Sequence, residues 1–269
     1  MEQWIKGPAG EPVLVKGKTK GGVSADGKKT LSEWVRQINQ AVRALDEGVG
    51  QLVEALKETG QYDNTMIVFT SDQGFAWGQH GFQVKKAPYD ANIRSPMVVS
   101  MPSRFPTGEV CRHPVGGTDI VPTIFSVAGI ELPWEMHGHD LTPLLEMPGV
   151  EEWSHPVLTV HFGDSYGSNT DVVPVGEDEA SKAKMLMRGV VPWWASLVEG
   201  DFKYIRTLVP NEPEELYNLV EDPEEIVNLA LDRDYRDKVE ALRGALIGEL
   251  RRTGAGMADS LPPVAILPD

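Results

Sequence analysis

Between Thr30 and Gly60 the apolar residues Leu31, Trp34, Val35, Ile38, Val42, Leu45, Val49, Leu52 and Leu56 recur mostly at three- and four-residue steps. That spacing predicts one long helix with a single apolar face. Thr30 and Glu33 stand where a capping box would open it, and Gly60 where it would stop. The pattern then changes to short continuous apolar runs. Met66 to Thr70 and Pro96 to Met101 read as strands buried on both faces. Between them lies a loop rich in Gly and polar residues, which begins at Ser71, the carboxyl end of the first strand. Asp119 to Ala128 reads as a short helix closed by Gly129. Beyond Trp153, Val157 to His161, Trp194 to Glu199 and Phe202 to Leu208 read as strands, with Gly200-Asp201 turning a hairpin. Asp234 to Arg252 reads as a final helix with Asp234 as its cap.

This order predicts an α/β fold in which ligands sit beyond the carboxyl ends of the strands. Three regions are expected: a lead-in over residues 1–29, an α/β core over residues 30–152, and a smaller α+β subdomain over residues 153–269. The lead-in is rich in Gly and Lys and lacks periodicity, so it is expected to be extended or mobile. It contains no G-x-x-x-x-G-K-[ST] phosphate loop. The segment from Gly163 to Lys184 is polar and reads as a long loop.

Composition narrows the partners. The net charge of -15 argues against nucleic acid, whose phosphates need clustered Lys and Arg. It leaves room for a small anionic substrate, since a pocket can be positive on an acidic protein. No apolar run reaches the roughly 20 residues of a membrane span, and Met1 to Gly10 show no export signal. The single cysteine, Cys111, allows neither an internal disulfide nor a zinc site of several Cys ligands.

Candidate chemistry is concentrated in one stretch. Asp72 and Gln73 follow the first buried strand and offer side-chain oxygens of the kind a hard cation such as Ca²⁺ takes; an ordinary turn at a strand end would look the same. His80 lies in the same glycine-rich loop and has either a structural or a catalytic part. Lys85 or Lys86 would bring positive charge to an anionic ester, or form a solvated pair. Arg94 follows Asp90 by four residues, the spacing of a structural ion pair. Trp193, Trp194, Phe202 and Tyr204 fit either the core of a small sheet or a carbohydrate-stacking surface.

The order of these residues resembles the second half of the sulfatase family. The resemblance runs from Tyr62-Asp63-Asn64-Thr65 through Ser71-Asp72-Gln73-Gly74 to Tyr89-Asp90-Ala91-Asn92-Ile93-Arg94-Ser95-Pro96. It continues in Thr118-Asp119-Ile120-Val121-Pro122-Thr123, Gly138-His139-Asp140-Leu141, Lys203-Tyr204-Ile205-Arg206, Glu215-Leu216-Tyr217-Asn218-Leu219 and Asp222-Pro223. The resemblance implies the C-terminal part of an alkaline-phosphatase-like sandwich with a small α+β subdomain. It implies calcium-dependent hydrolysis of sulfate esters, with a sulfated small molecule or carbohydrate as partner. Asp72 and Gln73 would be metal ligands and Lys85 the sulfate contact, with Lys86 as its near alternative. His80 resembles a Gly-x-His-Gly element close to the family's site.

The chain also departs from the family. The nucleophile, a formylglycine made from Cys in C-x-P-S-R, has no counterpart. Met101-Pro102-Ser103-Arg104 imitates only the tail of that motif, with Ser100 where Cys belongs. The family's N-terminal Asp pair is also without a match. The chain alone is therefore expected to be inactive, to bind calcium weakly, to expose apolar surface, and to need a complementing N-terminal segment or an oligomer. A phosphate or phosphonate ester hydrolase of the same superfamily is the alternative, as is a non-catalytic remnant. Gln73 favours the sulfatase, because a two-metal phosphatase is expected to place His there.

Overall fold

The computed structural model describes residues 2–6, 12–16, 31–163, 165–174 and 191–265. Thr30, Asp164, the stretch 175–184 of the long loop, and most of the lead-in lie outside them. In the lead-in, β1 (Glu2–Lys6) and β2 (Pro12–Lys16) are extended and pair antiparallel. Their apolar runs, Trp4-Ile5 and Val13-Leu14-Val15, are too brief for a periodic pattern to stand out in the sequence.

The chain divides into two compact units that do not follow sequence order. The first comprises residues 1–71, 75–84 and 96–107; the second comprises 72–74, 85–95 and 108–269.

In the first unit, α1 (Leu31–Glu58) has the predicted length. Gly60, at a φ of 68°, ends it, and the N–H groups of Gly60 and Gln61 return to the carbonyls of Lys57 and Leu56. β3 (Ile67–Thr70) pairs antiparallel with β6 (Met97–Ser100), Ile67 opposite Ser100 and Thr70 opposite Met97. A second short pair joins β4 (Ala76–Trp77) to β5 (Gln83–Val84). The expectation that β3 and β6 are buried on both faces is corrected: Phe69 is exposed and Val98 is 58% exposed. These two strands pair only with each other among the described residues, and Phe69 and Val98, which stand opposite each other, leave the face they share open. Along α1, Val42, Leu45 and Leu52 are likewise exposed, at 57%, 60% and 68%. A face this apolar and open is the exposed surface the sequence predicted.

The second unit has a closed core. β7 (Val157–His161), β8 (Trp194–Glu199), β9 (Phe202–Thr207) and β10 (Glu215–Asn218) form an antiparallel sheet in the order β10-β9-β8-β7. Gly200, at a φ of 57°, makes the tight turn between β8 and β9, where a side chain would be strained. Because side chains alternate across a strand, Ala195, Leu197, Tyr204 and Leu216 share one face. There they meet Val239, Leu242, Leu246 and Leu250 of a long helix, Arg236–Arg252. Burial of each of these Leu side chains stabilises the unit by about 1.5–3 kcal/mol. That helix is preceded by a 3₁₀ turn, Arg233–Tyr235, which Asp232 caps by accepting from the Asp234 N–H at 3.0 Å; the helix itself begins after Tyr235, so Asp234 is not its cap. Trp193, Trp194 and Tyr204 are buried and Phe202 packs against the core, so these aromatics are core residues and not a stacking platform.

Three further short helices lie among the described residues: α2 (Asp90–Ile93), α3 (Ile120–Ala128) and α4 (Thr142–Glu146), with the Arg236–Arg252 helix as α5. Much of the motif string after residue 115 is structural. The buried Asp119 carboxylate accepts from the N–H groups of Gly116 and His139 at 2.7 and 2.8 Å. Gly138 must be glycine, because a Cβ there would sit 2.0 Å from the Thr118 carbonyl oxygen. Asp140, just before α4, accepts from the N–H and the hydroxyl of Thr142 at 2.9 and 2.6 Å. Farther on, Asn228 accepts from the N–H groups of Leu216 and Ala230, and Asp222 from those of Ile226 and Val227.

Candidate active site

The face of the four-stranded sheet opposite α5 carries Trp194, Ser196, Lys203, Ile205, Glu215 and Tyr217. It is polar where the other face is apolar, and it grips the loop from Lys85 to Ser95 at three points. The Trp194 indole Nε1 donates to the Lys86 carbonyl at 2.7 Å. The Tyr89 hydroxyl donates to Glu215 Oε2 at 3.0 Å, and its ring meets that of Tyr217 edge-on, centroids 6.3 Å apart. Lys203 Nζ donates to Asp90 Oδ1 at 2.7 Å and lies 2.8 Å from Glu225 Oε1. The other oxygen of Glu225 accepts from the Asp90 N–H at 2.6 Å.

The turn at Asp72–Gly74 joins this loop. A Cβ on Gly74 would lie 2.7 Å from the Arg94 carbonyl oxygen and 2.9 Å from backbone atoms of Asn92 and Ile93. The backbone of the turn therefore lies directly against the end of α2. Asp72 is exposed and Gln73 half-buried beside it. Asp72, Gln73 and Lys85 thus fall in one unit, while His80 falls in the other. His80 occupies a 3₁₀ turn at a φ of 53°. Lys85 and Lys86 are both exposed, and neither ammonium makes an ion pair among the described residues. Lys86 has a φ of 94°, a left-handed conformation that a non-glycine residue holds only when its surroundings demand it; the Trp194 bond supplies such a demand.

The electrostatics follow from burial. Desolvation pushes the pKa of Glu225 above the usual carboxylate range, against the opposing pull of the Lys203 ammonium. Burial and the neighbouring Glu215 carboxylate push the Tyr89 phenol up, so it stays a hydrogen-bond donor. The i,i+4 pair of Arg94 and Asp90 is present but long, at 3.9 Å; the closer partner of Asp90 is Lys203. Sequence reasoning missed Lys203, Glu225 and Trp194 as supports of the loop. The one available signal was a lysine set inside a strand otherwise rich in apolar residues.

The donors present suit a hard cation in kind but not in number. Asp72 and Gln73 offer two carboxylate oxygens and one carboxamide oxygen, whereas Ca²⁺ takes about six to eight. Among the described residues no group of three or more His, Cys, Asp and Glu is placed to hold a metal. These residues alone do not complete a calcium shell.

The mixed α/β fold matches a solved protein captured with its substrate D-glucosamine-2-N,6-O-disulfate, at a TM-score of 0.65 and 26% identity, over 79% of this chain and 39% of that one. Residues 15–130 match the family described as Sulfatase, so the resemblance to sulfatases read from the sequence is found again in the comparison. An N-acetylglucosamine-6-O-sulfatase of Bacteroides thetaiotaomicron is 36% identical over 44% of this chain and 21% of its own length. An arylsulfatase of Clostridium perfringens is 26% identical over 86% of this chain and 43% of its own length. The chain therefore spans less than half the length of these relatives. No helix among the described residues is long and apolar enough to cross a membrane.

Proposed function

We propose that this chain supplies the C-terminal part of a calcium-dependent sulfuric ester hydrolase of alkaline-phosphatase-like fold, with Asp72 and Gln73 on the metal and Lys85 on the sulfate. The observation that carries this reading is the seating of the Asp72–Gly74 turn on α2, inside the unit that also holds Lys85. A calcium ion at such a site would draw electron density from the sulfate oxygens. Lys85 binds and orients the same anion as a point charge and offsets charge that grows on its oxygens. The pinned Lys86 carbonyl fixes where the Lys85 side chain starts. Lys86 is the alternative sulfate contact, and His80 a further contributor.

The sequence contains no C-x-P-S-R, so the purified chain does not turn over sulfate esters; hydrolysis of an aryl sulfate well above blank would overturn this. The substrate class is a sulfated small molecule or carbohydrate, supported by the sulfated amino sugar bound to the matching structure. The open apolar faces of α1 and β6 support a complementing segment or a second copy of the chain. The test of the site is titration of the chain with sodium sulfate in the presence of CaCl₂, followed at the backbone amides of residues 72–74 and 85–90 by NMR. Lys85→Ala is expected to weaken sulfate binding by about tenfold, the scale of one charge-assisted hydrogen bond, and Lys86→Ala far less. Equal binding by wild type and Lys85→Ala removes Lys85 from the site.

A further inference from the structure

Lys203 carries no solvent exposure, Glu225 is 2% exposed and the Asp90 side chain 19%. One ammonium and two carboxylates are thus withdrawn from water together. Such groups pay a desolvation cost that their mutual attraction only partly returns, and apolar residues of similar volume would stabilise a core at least as well. What the charges add is direction. Lys203 projects from the polar face of β9, reaches both carboxylates, and fixes Asp90 at the start of α2. Glu225 ties the backbone N–H of the same residue. Glu225 does so from a φ of 55°, a second strained non-glycine residue in this assembly beside Lys86. With Trp194 on Lys86 and Glu215 on Tyr89, every anchor of the loop comes from the sheet face opposite the apolar core or from the turn carrying Glu225.

We propose that Lys203 is a positioning residue: held between Asp90 and Glu225, its ammonium sets the conformation of the loop from Lys86 to Arg94, and so the places of Lys85 and, through Gly74, of Asp72 and Gln73. The consequence for sulfate rests on the reading of Lys85 given above; the conformational claim does not. Lys203 touches neither metal nor sulfate. It acts by converting burial in the C-terminal sheet into a fixed loop. The charged groups facing it are Asp90 and Glu225, with Arg94 on the far side of Asp90.

The test is hydrogen-exchange mass spectrometry on the full chain. Lys203→Met and Asp90→Asn are expected to speed exchange of the amides of residues 86–94 by about tenfold or more, while α5 amides stay within about twofold. Asp90→Asn conserves shape and decides the matter if Lys203→Met does not fold. A charge-based grip makes two further demands. In Lys203→Met the two carboxylates face each other without their cation and Glu225, already pushed up by burial, loses the ammonium that opposed that push, so protection of the loop should return as the pH falls from about 7 to about 5 and Glu225 takes a proton. The double variant Lys203→Met/Glu225→Gln should show that protection already at neutral pH. A lysine that merely fills space would produce neither effect. Unchanged loop exchange, loop exchange that rises no more than that of α5, or absence of both recoveries overturns the proposal. Failure of Lys85→Ala to alter sulfate binding sinks the site reading and leaves the exchange result standing.

Discussion

One added methyl group tests the seating of the metal turn. In Gly74→Ala the new Cβ would stand 2.7 Å from the Arg94 carbonyl oxygen, where ordinary contact begins at 3.4 Å. The overlap of about 0.7 Å falls on backbone, with two further backbone atoms at 2.9 Å, so no side-chain rotation relieves it. α2 cannot slide away cheaply either, since Asp90 is tied to Lys203 and Glu225. Overpacking of this kind costs about 1–3 kcal/mol. The same substitution at Gly244, on the exposed side of α5, meets nothing within 4 Å. There the helix gains, by about 0.5–1 kcal/mol. Both glycines lie in the same unit, so urea denaturation read from the protection of α5 amides compares them directly. The expected result is opposite signs. Exchange at residues 92–94 should also rise in Gly74→Ala and stay unchanged in Gly244→Ala. A Gly74→Ala protein as stable as wild type, with unchanged exchange at those residues, would refute the close approach and with it the joining of the Asp72 turn to the Lys85 loop.

Two other substitutions probe the support beneath the site. Glu214 accepts from Arg243 Nε and an Nη, both at 2.6 Å, and from the Tyr204 hydroxyl. Burial works to raise its pKa, but these hydrogen bonds and the guanidinium charges of Arg243 and Arg206 outweigh it and hold the pKa low. Its contribution is then present above the unfolded value of about 4.3 and lost as pH falls through the lower folded value. Glu214→Gln should cost about 2–3 kcal/mol at neutral pH, and chemical denaturation at a series of pH values should show its gap to wild type closing in acid. Leu246 is fully buried between α5 and the sheet. Leu246→Ala should lose about 2–5 kcal/mol in the same denaturation assay, and a loss below about 1 kcal/mol would mean the core closes over the cavity.

The elements that could be read from the chain are those whose partners lie close in sequence or whose pattern is long. α1 repeats its apolar step over many turns, and its stop at Gly60 is local chemistry. The β8–β9 hairpin is set by Gly200 and Asp201 between its own strands. β1 and β2 escaped because each is a brief run inside a Gly- and Lys-rich stretch. The burial expected of β3 and β6 failed for another reason: an apolar run states that a strand can be covered, not that anything covers it. β9 was recognisable as a strand, but its inner residues are buried on both sides. It lacks the alternation that would have told the apolar face from the polar one.

The candidate site shows the same limit from the chemical side. Asp72, Gln73 and Lys85 were picked out by residue type and order, and residues 75–84 separate them in the chain. Nothing in that order says that the intervening strands belong to one unit and the flanking segments to another. Two contacts decide it, and both are invisible in a linear reading. One is an absence of atoms at Gly74, which matters only because Arg94 is there to meet it. The other joins Asp90 to Lys203 across 113 positions. From the sequence, Asp90 had an adequate partner four residues away in Arg94. The fold prefers Lys203 because a half-buried carboxylate gains more from a desolvated, well-aligned cation than from a nearby exposed one. The long-range partner thus turns a local helix pair into a tie between the candidate site and the C-terminal sheet.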